Sequence, residues 1–106
     1  MPNPPTSAAF LPLAAIRSHL PEIDRRGVST VCRGPGGFLE AYCDADGNPE
    51  LLPPWWHARR AAFIARMHGQ ALLRGEPPRD ERGRLTRRSL SLIAWAFDPE
   101  LPRAMI

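Results

Sequence analysis

Residues 28–43 read VSTVCRGPGGFLEAYC, and the way this stretch folds decides the fold class. Two six-residue arms, 28–33 and 38–43, flank Gly34-Pro35-Gly36-Gly37, a strong turn signal. The stretch reads as a β-hairpin. With those four residues as the loop, Arg33 faces Phe38 and Cys32 faces Leu39. One face then carries Val28, Thr30, Cys32, Leu39, Ala41 and Cys43 and is expected to be buried. The other carries Ser29, Val31, Arg33, Phe38, Glu40 and Tyr42 and is expected to be half-wet. In this register Cys32 and Cys43 are separated by about 13 Å of strand, beyond the ~7 Å between Cα atoms that a disulfide can bridge. Two free, buried thiols are expected.

Outward on the C-terminal side, Asp44-Ala-Asp46-Gly47-Asn48 ends the hairpin. It looks briefly like a calcium loop, but the glycine comes too early, and Trp55 stands where such a loop needs its last glutamate. A turn is the better reading. Pro53-Pro54 then opens the longest helix, expected over residues 55–74 and closed by Gly75 and Pro77. Ala58, Ala62, Ala65 and Gly69 share one side of it, where small residues would let another element approach closely. Trp55–Arg59 and Trp56–Arg60 are i, i+4 pairs in which an arginine can lie over an indole. Residues 75–85 have no core-forming pattern and are expected to be a mobile basic loop. Thr86 can cap a last helix from 87 to about 97, apolar nearly all round, that stops at Asp98-Pro99.

Outward on the N-terminal side, Leu13, Ile16 and Leu20 fall on one helical face. Pro21 is expected to end the regular helix, with Ile23 continuing the apolar face as far as Gly27. Residues 1–6 hold three prolines and read as a flexible arm, and 100–106 as a tail. The expected architecture is α+β in a single domain: a short N-terminal helix, one β-hairpin, a long central helix and a C-terminal helix, in the order α-β-β-α-α. A chain of 106 residues can bury one modest core.

All 14 basic residues are arginine. With abundant alanine and proline, that points to a GC-rich bacterial genome or one of its phages or plasmids. The charge is uneven. Residues 1–52 hold four arginines and six acids; residues 53–106 hold ten and five. A basic C-terminal half suits an acidic partner. The N-terminus lacks the charged region of a signal peptide, and no apolar run could span a bilayer. A cytoplasmic location and no membrane partner are expected.

The serines lie in no nucleophile elbow. His57 and His68 sit about 16 Å apart along one helix and cannot share an ion. No phosphate-binding loop precedes a helix. No catalytic residue, metal or cofactor is expected, and the chain is read as non-enzymatic.

The arginine–aromatic surface remains. Arg59, Arg60, Arg66 and Arg74 lie on the long helix, Arg79, Arg82 and Arg84 in the loop, and Arg87 and Arg88 on the last helix, with Trp56 nearby. Such a set suits phosphate binding and base stacking. The expected function is a small binding protein that engages nucleic acid or a nucleoprotein complex through this surface. The alternative is a protein–protein module: a phage-style, anti-CRISPR-like inhibitor that docks an acidic protein surface of a host enzyme or defence complex. A structural homodimer built through the C-terminal helix or the hairpin edge is the other form of that alternative.

Overall fold

The computed structural model describes residues 10–100, and residues 28–43 in it are helical. The elements are α1 (Leu13–Arg25), α2 (Thr30–Arg33), α3 (Phe38–Asp44), a 3₁₀ turn (Pro49–Leu51), α4 (Pro54–Arg74) and α5 (Arg87–Ala94). Among the described residues there is no β-strand, only isolated antiparallel bridges between Phe10 and Phe97 and between Arg79 and Leu85. The expected α+β class is therefore corrected to an α-helical one. The arm expected over residues 1–6 and all but Glu100 of the tail lie outside the described residues.

The reason lies in burial. Phe38, Leu39, Tyr42 and Ala45 are all buried, and their spacing follows a helical period. Val28 and Cys32, one turn apart, are buried while Val31 is exposed. Thr30 and Cys43, which a hairpin turns inward, are exposed; Phe38 and Tyr42, which it turns toward water, are core. The thiols are free as expected, but only Cys32 is buried. Gly34-Pro35-Gly36-Gly37 still makes a turn, between two helices. Gly37 is required there because a Cβ would lie 2.4 Å from the carbonyl oxygens of both Val31 and Cys32.

Pro21 does not end α1, which continues to Arg25. Ile16 and Ile23, two turns apart, are both fully buried, and that packing outweighs the backbone hydrogen bond a proline lacks. α5 is the central core element. It packs against α1 and α4, and Leu90, Leu92, Ile93 and Ala94 are buried within the chain. Thr86 caps it by accepting a hydrogen bond from the Ser89 amide at 3.1 Å. The hairpin-edge route to a homodimer is overturned, because no strand exists among the described residues.

α4 begins at Pro54 and closes on Gly75, whose φ of 63° is the left-handed conformation a glycine cap supplies. Its inward face differs from the expected one. Ala58, Ala62 and Ala65 are exposed, and nothing lies over Gly69 within 4 Å. Arg60, Ile64 and His68 form the buried face instead.

Arg60 is 2% exposed. Its Nε donates to the Trp95 carbonyl and its Nη2 to the Ala96 carbonyl, both at 2.7 Å. Its guanidinium lies 3.6 Å from the Phe10 ring centroid. A cation thus meets carbonyls just past the C-terminal end of α5, where the helix dipole is negative. Burial lowers its pKa to about 10, still far above neutrality. Phe38 stacks between Tyr42 and Trp95 at 5.5 and 5.0 Å, and Trp95 stacks on Phe63 at 5.0 Å.

Candidate nucleic-acid interface

The outer face of α4 is built by a 4-3-4-3-4 spacing: Trp55, Arg59, Ala62, Arg66, Gly69 and Leu73 fall on one stripe. Trp55 is 57% and Leu73 89% exposed. The helix holds 21 residues and no carboxylate. Arg59 and Arg66 lean sideways over aromatic rings, 5.2 Å from the Trp56 centroid and 5.8 Å from that of Phe63. Contact with a ring face holds each guanidinium in place without neutralising it. The two arginines are about 10 Å apart along the axis, and Arg74 is a further 12 Å or so on. Among the described residues, Arg59, Arg66 and Arg74 make no ion pair.

The structure divides the other expected site residues. Arg60 is in the core and Trp56 is half-buried, edge-on to Phe38 at 6.0 Å. Arg79 makes a two-pronged pair with Glu100 at 2.8 and 3.0 Å. Arg84 reaches Asp80 at 3.5 Å, and Arg88 pairs with Glu76. Arg87 donates to the Arg26 carbonyl at 2.6 Å. Arg82 is exposed near the tip of the loop and makes no ion pair among the described residues.

The basic loop is folded around Asp80. One carboxylate oxygen accepts from the amides of Arg82 and Arg84 at 2.9 and 3.0 Å. These bonds, that from Arg84 foremost, hold the carboxyl below its ordinary range. The Asp80 amide also donates to the Arg84 carbonyl at 2.8 Å, so the loop turns back on itself.

Of the expected site residues, Arg59, Arg66, Arg74, Arg82 and Arg87 therefore keep exposed guanidiniums that no carboxylate neutralises among the described residues. Sequence reasoning passed over Trp55 in favour of Trp56. The available signal was the stripe itself: Trp55 stands one turn before Arg59 and in register with Leu73.

Among the described residues no cluster of three His, Cys, Asp or Glu could hold a metal, and no helix is long and apolar enough to cross a membrane. His57 contacts the Pro49 carbonyl at 2.8 Å, and His68 sits edge-on to Phe97 at 5.1 Å. In comparisons with protein-family models, curated proteins and solved structures, nothing matches the chain.

Proposed function

We propose that the protein is a non-enzymatic nucleic-acid-binding protein of bacterial or mobile-element type, working in the cytoplasm, that lays the outer face of α4 along a phosphate backbone. One observation carries the reading: a 21-residue helix presents Arg59, Arg66 and Arg74 to solvent with no carboxylate of its own. Three exposed guanidiniums that no carboxylate neutralises give this face a positive potential that attracts a polyanion. Ala58, Ala62 and Ala65 leave the surface flat enough for a close approach, and Trp55 supplies a ring on which a base can stack. The two free thiols suit a reducing compartment.

The test is anisotropy of labelled duplex and single-stranded oligonucleotides over a salt series. Three or four phosphate contacts give a log–log salt slope of roughly −3 for duplex, and replacing Arg59, Arg66 or Arg74 by glutamine flattens it by about one each. Absence of binding at low salt overturns the reading.

The exposure of Trp55 and Leu73 favours a second reading, in which an acidic amphipathic helix of a protein partner docks on this face, as in a phage-style inhibitor. A second copy of the chain suits it poorly, because its arginines would meet the same arginines. Tight binding to a protein that survives high salt, with none to nucleic acid, selects this second reading.

A further inference from the structure

Every aromatic side chain of the described residues but one packs against another ring. Trp56 and Trp95 stand 6.2 Å apart, and both meet Phe38. Trp55 is the exception. Among the described residues its indole meets no other ring and no guanidinium, and the residue is 57% exposed. The aromatic network of the core leaves this ring out, on the face that carries the unneutralised arginines.

The stripe that Trp55 opens mixes two chemistries. Arg59, Arg66 and Leu73 follow it at about 6, 16 and 27 Å along the axis and fall within roughly 40° of it around the helix. Leu73 is 89% exposed. A duplex turns its phosphates outward and keeps the faces of its bases stacked inside, so it engages the arginines and leaves Trp55 and Leu73 in water. A single strand presents phosphates and open base faces side by side, and so engages both kinds of group.

Little on this face is suited to reading a duplex groove. α4 holds no Asn, Ser, Thr, Asp or Glu, and Gln70 is its one amide. Arg59 and Arg66 lean over the rings of Trp56 and Phe63. Flat stacking on an indole needs no such readers, because every base has a π-face.

We propose that the outer face of α4 takes single-stranded nucleic acid, with one base stacked on Trp55, Arg59 and Arg66 on the phosphates that follow, and Leu73 against a further base. The proposal rests on the nucleic-acid reading above and adds that open bases are engaged as well as phosphates.

Three probes of equal length test it: an oligothymidylate, the same strand with its bases removed, and the oligothymidylate annealed to its complement. Binding to the full chain is followed by anisotropy over a salt series. The oligothymidylate binds roughly tenfold more tightly than the abasic strand, the contribution of one stacked base. It also stays bound at salt concentrations that release the duplex, because stacking is not screened. Trp55→Leu keeps apolar bulk and removes the flat ring; it weakens oligothymidylate binding roughly tenfold and leaves duplex binding and the salt slope unaltered. Trp55→Phe restores part of the loss. The fluorescence that the wild type has and Trp55→Phe lacks is quenched by the oligothymidylate and not by the abasic strand. Equal affinity for the oligothymidylate and the abasic strand overturns the proposal and leaves the phosphate-backbone reading standing. So does a duplex that outlasts the single strand in salt, or a Trp55→Leu loss that is the same for both. No binding to any of the three probes overturns the two together.

Discussion

Arg59 and Arg60 are neighbours in the chain with opposite fates. Arg59 lies on the outside of α4 with a ring beneath it and water around it. Arg60, 100° further round the helix, is 2% exposed and grips two carbonyls just beyond α5. Side-chain type does not separate them; what each helix face meets does. The inner face meets the carbonyls of Trp95 and Ala96 and the Phe10 ring, which together replace the hydration a guanidinium loses on burial. On the outer face Arg59 rests on the Trp56 ring and makes no ion pair among the described residues. One arginine is therefore part of the fold, and the other remains available for recognition.

The largest expected effect tests the inner face. Arg60→Met removes the charge-assisted hydrogen bonds to the Trp95 and Ala96 carbonyls. The Ala96 carbonyl keeps the Leu11 amide at 2.7 Å as a partner, so of these two carbonyls that of Trp95 suffers more. Stability should fall by about 2–4 kcal/mol in urea denaturation. Arg60→Lys, with one nitrogen for two carbonyls, should fall between. Arg59→Met should stay within about 0.5 kcal/mol. Equal losses at the two positions would break the comparison.

A smaller effect comes from the histidine on the same inner face. Burial holds the His68 pKa below its ordinary 6.5. Above that value both folded and unfolded chains leave it neutral, and nothing is gained or lost. As the pH drops below it, the unfolded chain takes up a proton that the folded chain refuses, so stability declines with acidification until the folded value is passed. The urea midpoint should drop between pH ~7 and ~5.5, above the ordinary range of carboxylates. His68→Phe should shrink that drop; an unchanged drop would show that His68 is not its source.

The contrast between the faces also shows what the sequence could and could not reveal. α4 and α5 were legible because they are punctuated: Pro53-Pro54 and Gly75 bound the first, and Thr86 opens the second. Residues 28–43 were misread because arms of six residues are too short to separate a period of two from one of 3.6. Gly34-Pro35-Gly36-Gly37 announces a turn without saying what it joins. The helical clue was Phe38-Leu39…Tyr42…Ala45, a spacing that leaves Cys43 outside. Burial of Arg60 was not legible, since its acceptors are backbone atoms 35 and 36 residues away. The arginine surface was legible in composition only. Carboxylates at Glu76, Asp80 and Glu100 neutralise Arg88, Arg84 and Arg79 through contacts that no local pattern announces.

The smallest expected effect tests the outer face directly. Leu73 is 89% exposed, so Leu73→Gln removes almost no buried area and should change stability by less than about 0.5 kcal/mol. Trp55→Gln should cost less than about 1 kcal/mol, since part of its ring rests on the chain. Ile64→Ala, one turn after Arg60 on the buried side, should cost about 2–5 kcal/mol through lost burial and the cavity left behind. If Leu73→Gln or Trp55→Gln instead cost as much as Ile64→Ala in the isolated chain, the outer face would already be covered and could not dock a partner. If they are silent alone yet weaken oligonucleotide binding, the unneutralised face of α4 acts only when its partner is present, as recognition through a preformed surface requires.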